Sequence, residues 1–197
     1  MNKRIVISAL LAILTILPLS ATTIKELWIA APDSLFPYLD KAKRLELVDV
    51  RETKNKLDGI SKLDTLTSSF MQVSLNKLTQ VQMKLVPVDG DTLICMVKTY
   101  MLPESDSEVV FYDTNWRLKR RVALDWRNYV AIADTMSNET FKRKLESLKL
   151  AFVKATINAD NNLMDLEVEA PLQPKEEKTD LSAILQINVK VELENVK

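Results

Sequence analysis

The stretch Val81–Tyr100 constrains this chain most, because two β-rich apolar runs are broken there only by Asp89-Gly90. That dipeptide is the strongest short-range hairpin signal, since a type I′ turn needs positive φ at both central residues. A two-residue loop sets Val88 opposite Asp91 and Leu85 opposite Ile94. Val81, Met83, Leu85, Ile94 and Met96 then share one face, apolar throughout and expected to meet the core. Gln82, Lys84, Val86, Leu93, Cys95 and Val97 share the other, which is mixed. The rest of the chain reads as strands and helices completing a sheet around this hairpin.

Alternation marks the neighbouring strands. Leu63–Leu66 is one. Met71, Val73 and Leu75 alternate with Gln72 and Ser74 in a second, and Asn76-Lys77 turns the chain into the hairpin. Glu108–Asp113 sets Val109 and Phe111 against Val110 and Tyr112, and Arg117–Leu124 follows after a turn at Asp113–Trp116. Later, Ala151, Val153, Ala155 and Ile157 point inward, as do Met164, Leu166 and Val168, with Asp165, Glu167 and Glu169 outward. Leu185, Ile187, Val189, Val191 and Leu193 give the cleanest alternation, so a strand is predicted over Leu185–Leu193.

Helices are fewer. Thr22–Ala31 reads as a helical turn or entry segment. Asp33 or Ser34 is expected to cap a helix with Pro37 in its first turn. Its stripe is Leu35, Tyr38, Leu39, Ala42, Leu45 and Val48. Lys41, Arg44 and Glu52 lie on the solvent face, and Glu52 pairs with Lys56. Asp125–Met136 reads as loop with some helix, and Ser137 caps a helix over Asn138–Ser147. The predicted fold is α+β: a largely antiparallel sheet of roughly 7–9 strands with two or three helices packed on one face.

Residues 1–21 read as a secretory signal: Lys3 and Arg4, then the apolar Ile5–Leu17, Pro18, and cleavage after Ala21. Residues 22–197 then form a single α+β domain, whose halves follow a similar outline with a boundary near 125–137. The expected compartment is periplasmic or secreted. No cysteine follows the apolar run, so no lipid anchor is expected there, and no transmembrane segment remains after cleavage.

Composition narrows the chemistry. The 197 residues include no histidine, two glycines and one cysteine, and their net charge is zero. Without imidazole there is no Ser-His-Asp or Cys-His catalysis and no His-ligated metal. Gly59 and Gly90 cannot build a phosphate cradle. Cys95, between Ile94 and Met96, reads as a packed thiol. A neutral chain lacks the cationic footprint of a nucleic-acid binder. No cofactor and no catalytic residue are expected.

The blocks ATTIKELWIAAPDSLFPYLDKAKRLELVDV, GDTLICMVKTY and VVFYDTNWRL, following a signal, together resemble an uncharacterised family of exported proteins from gut Bacteroidales, known as a domain of unknown function. The similarity runs from about Ala21 to Asp160. It implies the compartment and a single-unit fold, and it brings no catalytic residues.

The most distinctive local feature is Trp116–Tyr129. Trp116, Arg117, Lys119, Arg120, Arg121, Trp126 and Arg127 are candidate ligand contacts, because guanidinium groups beside aromatic rings suit anionic and sugar-phosphate ligands. Basic residues blunting an edge strand, with the tryptophans as core plugs, explain the same pattern. Alternation divides Arg117, Lys119 and Arg121 from Arg120. Asp165, Glu167 and Glu169, or Glu176-Glu177, are the carboxylates that a hydrolase would need, and they read as solvated. DNNLMD at Asp160–Asp165 holds hard oxygen ligands but lacks the EF-hand glycine and distal glutamate, so it reads as a hairpin turn. The expected function is non-catalytic binding of an envelope protein, an anionic glycan or a lipid headgroup. The alternatives are a carboxylate-dependent hydrolase acting on envelope or dietary glycans, and a structural envelope component that self-associates through Leu185–Leu193.

Overall fold

A computed structural model of the chain describes residues 22–101, 104–129, 151–169 and 189–195, with isolated positions between 137 and 146. Residues 1–21, expected to be a signal, Glu176-Glu177 and positions 185–188 therefore lie outside the described residues.

Seven strands run in sequence order as one antiparallel meander: β1 (Glu52–Lys54), β2 (Ile60–Leu66), β3 (Phe70–Asn76), β4 (Thr79–Val88), β5 (Asp91–Tyr100), β6 (Asp106–Asp113) and β7 (Leu118–Val122). The β4–β5 hairpin has the predicted register, with Val88 opposite Asp91 and Leu85 opposite Ile94. Asp89 and Gly90 have φ of 52° and 84°, as a type I′ turn demands. A second sheet holds β8 (Phe152–Ile157), β9 (Leu163–Glu169) and β10 (Val189–Glu192), in the order β10-β9-β8. Among the described residues, β10 covers the C-terminal part of the strand predicted over Leu185–Leu193.

The helices α1 (Ile24–Ala30) and α2 (Lys41–Val50) pack on one face of the large sheet. The α1 helix starts at a capping box: Glu26 N–H donates to Thr23 Oγ1 at 3.3 Å and Thr23 N–H to Glu26 Oε2 at 2.8 Å. The α2 helix begins later than predicted, at Lys41, with the Asp40 carboxylate accepting from Lys43 N–H at 3.1 Å. Asp33 is not a cap; its carboxylate is committed to Arg44 at 2.8 Å. Pro32–Leu39 forms separate tight turns that drop Phe36 and Leu39 into the core. This rotates the buried stripe: Leu45 and Tyr38 are exposed, while Arg44 and Leu47 are buried. The expected Glu52–Lys56 pair does not form either, because Glu52 belongs to β1 and pairs with Lys62, and Lys56 pairs with Asp40.

Arg44, only 1% exposed, is the main correction to the helix reading. Its Nε donates to Trp28 O at 3.1 Å, Nη1 to Leu39 O at 2.6 Å, and Nη2 to Ala31 O. Trp28 Nε1 returns a bond to Arg44 O at 3.2 Å. The guanidinium thus meets the carbonyls of Ala31, just past α1, and of Leu39, and adds a second bond to Trp28 O, which Ala31 N–H also reaches at 3.3 Å; a positive charge at this helix end also suits the helix dipole.

Both faces of the central hairpin are buried. Met83, Ile94, Tyr112 and Trp116 meet Trp28, Phe36 and Leu47 on the helical side. Val86, Cys95, Val97 and Phe111 meet Val153, Leu166 and Leu193 on the other. The mixed face predicted for Gln82 and Lys84 is therefore an interface between sheets, and its polar groups are what dock the second sheet. The β8 N–H groups of Ala155 and Ile157 reach Ser107 Oγ and Gln82 Oε1, each at 2.9 Å, and Val153 N–H reaches Asp106 at 3.4 Å. An edge that would otherwise present open donors is closed by side chains of the sheet beneath.

Candidate functional site

The strand geometry divides the basic segment Trp116–Tyr129. Trp116, at φ 62°, plugs the helical-side core, and its Nε1 donates to Leu27 O at 3.1 Å. Trp126 plugs the opposite core. Arg120 lies 4.2 Å over the Phe111 ring, on the face covered by the second sheet. Arg121 points to the other face and pairs with Glu108. Arg127 stacks 4.8 Å over Trp126 and pairs with Asp125 at 3.2 Å. Arg117 and Lys119 are exposed beside Asp113, whose carboxylate accepts Arg117 N–H at 2.9 Å and is held below its usual range mainly by that bond. A register shift between Phe111 and Tyr112 separates Leu118 from Arg120 along this edge strand. Among the described residues these side chains share an edge and a loop without converging on one cleft.

Most of the other candidates have structural roles, while Asp165 Oδ1 is buried with no hydrogen-bond partner among the described residues. Cys95 is fully buried, and burial pushes its thiol up to about 12. Glu167 pairs with Lys154 at 3.3 Å, and Glu169 accepts Ser105 N–H at 2.9 Å. The turn after β8 does hold a cation, and that cation is Lys84. Its Nζ donates to the carbonyls of Asn158, Ala159 and Asn161 at 2.9, 2.8 and 2.7 Å. The side chain is 4% exposed; desolvation lowers its pKa, and Asp160 nearby pulls it back. Among the described residues no group of three His, Cys, Asp or Glu could hold a metal.

One cleft was not anticipated from the residues. A groove of about 330 Å³ lies on the helical side, where the helix layer ends. One wall is the Pro32–Leu39 turns, which bring Tyr38 to the surface. The second is the loop between β1 and β2, which presents Leu57. Asn55 builds that loop: its Oδ1 accepts Leu57 and Gly59 N–H at 3.0 and 3.1 Å, and its Nδ2 donates to Leu75 O at 3.1 Å. Gly59 makes room for this side chain, since a Cβ there would stand 3.1 Å from the Asn55 amide and oblige it to shift. Lys56 N–H donates to Tyr38 O at 3.1 Å and joins the two walls. The strand ends supply Asn76, Thr79, Lys98 and Tyr100. Tyr38 and Tyr100 are each 43% exposed and Leu57 62%. Tyr38 escaped notice because helical spacing counted it inside; Asp40, three residues before Lys43 and just after Pro37, was the signal for a later helix start.

Residues 16–191 match the family described as "Protein of unknown function (DUF3256)". The chain belongs to this family. The match runs well past Asp160, so the β8–β10 sheet is part of the family's unit and the sequence resemblance was drawn too short. A search of the curated proteins gives no match. A solved domain of an uncharacterized protein from Porphyromonas gingivalis W83, also of the Bacteroidales, is similar with a TM-score of 0.75 at 17% identity, covering 90% of this chain and 98% of that one. At that identity the likeness speaks for the fold alone. No helix among the described residues is long and apolar enough to cross a membrane.

Proposed function

We propose that this member of the family is an exported, non-catalytic binding protein whose ligand lies in the groove between Tyr38, Leu57 and Tyr100. The observation that carries this reading is the groove itself. Its volume is at the lower end of ligand sites, and its large apolar side chains stand open to solvent on a rigid sheet end. The chain without histidine has few groups that can move a proton near neutrality. Export rests on the charged start, the apolar run Ile5–Leu17 and the small residues at Ser20-Ala21.

Site-specific photo-crosslinking in the native envelope tests the proposal. A photoreactive side chain at Leu57 is expected to trap an envelope component, and one at Arg117 in the basic segment is not. Capture from Arg117 alone would move the site to the basic edge. Recovery of the unprocessed chain from the cytoplasm would refute export.

A further inference from the structure

We infer that the ligand of this groove is an acidic saccharide, its pyranose rings lying on Tyr38 and Tyr100 with its anionic group at Lys98. This rests on the groove being the binding site. The argument starts from the polar atoms among the apolar walls. The hydroxyls of Tyr38, Tyr100 and Thr79 make no hydrogen bond to the described residues. The Asn76 carbonyl oxygen accepts Leu78 N–H at 2.8 Å, which leaves its amide N–H₂ for a ligand. An acyl chain laid over these atoms would strip them of water and return no hydrogen bond. A peptide adding as a strand needs open backbone groups. Here the strand ends are already paired, Asn76 with Thr79 and Thr79 with Tyr100. A pyranose fits both requirements, because its C–H face stacks on an aromatic ring while its rim of hydroxyls meets hydroxyl and amide partners.

The charge comes from Lys98. Its Nζ sits over the Tyr100 ring, 5.2 Å from the centroid in a cation–π contact, and has no carboxylate within ion-pair distance among the described residues. Glu108 stands opposite it in the β5–β6 register, but Glu108 is held by Arg121. A cation at the lip of an aromatic groove, with its natural partner taken, is complementary to a carboxylate or sulfate on a sugar.

The test is a glycan array carrying acidic and neutral oligosaccharides of matched backbone, read with the full exported chain. Acidic glycans are expected to bind at least tenfold more tightly than their neutral counterparts. Tyr100→Ala and Tyr38→Ala are expected to abolish binding. Lys98→Gln is expected to equalise the acidic and neutral members, and added salt to do the same. Binding that ignores the charge, or that survives both tyrosine variants, overturns the inference. An array with no binding overturns it as well; crosslinking at Leu57 then decides separately whether the groove takes some other component. Circular dichroism of each variant confirms that it is folded.

Discussion

Replacing Arg44 by methionine is expected to remove about 4 kcal/mol of stability. Methionine keeps an unbranched apolar stem in the site and deletes every donor. The carbonyls of Ala31 and Leu39 then lose their hydrogen bonds and that of Trp28 keeps only Ala31 N–H, inside a site that water scarcely reaches. Each buried acceptor left unmet costs about 1–3 kcal/mol, so two of them cost about 2–6 kcal/mol, centred on about 4 kcal/mol. Against a typical total of about 5–15 kcal/mol the loss is large. It should lower Tm by about 8–16 °C at this chain length. Urea unfolding followed by tryptophan fluorescence measures it, with Trp28 reporting from the site itself. The midpoint should fall while the slope stays unchanged. Asp33→Asn is the internal control. Asp33 is the exposed partner of the ion pair, so its neutralisation should cost no more than about 1 kcal/mol. A loss below 1 kcal/mol for Arg44→Met, or equal losses for both variants, would refute the view that carbonyl capture is what Arg44 does.

Lys84→Met should cost about 2–4 kcal/mol, since three carbonyls of one turn lose a charged donor. Hydrogen exchange should show faster exchange for residues 158–163 with the β4–β5 ladder still protected; unchanged protection in the turn would contradict the assignment. Cys95 should resist alkylation at pH 9 in the native protein and react only after unfolding, as mass spectrometry of labelled chains can show. Its folded pKa of about 12 stands above the ordinary 9.0, so the thiol's contribution is fully present below pH 9 and is lost as pH rises toward 12.

The parts of the fold that sequence revealed were those governed by local rules. The turn at Asp89-Gly90 fixes backbone angles by itself, and the period of two then assigns every residue from Val81 to Val97 to a face. Val109 and Phe111 separated from Val110 and Tyr112 for the same reason. What stayed hidden depended on partners far along the chain. Arg44 looks solvent-facing until the carbonyls at the end of α1 are folded beside it. Lys84 and Gln82 look like the polar members of a mixed strand face until a second sheet arrives from residues 152–169 with donors and acceptors for them. The groove was illegible because it exists only where three segments meet, and because Tyr38 sits on a turn that helical spacing had already claimed. Conversely, Trp116 and Trp126 stand next to arginines in sequence and on opposite sides of a sheet in space.

The turn between β8 and β9 has a consequence for where such a molecule can work. A loop organised by a dissolved ion comes apart when that ion is sequestered. Here the positive charge is tethered to the polypeptide, so no chelator can extract it and no change in divalent-ion supply can dilute it. The second sheet therefore keeps its anchorage whatever the divalent-ion content around it.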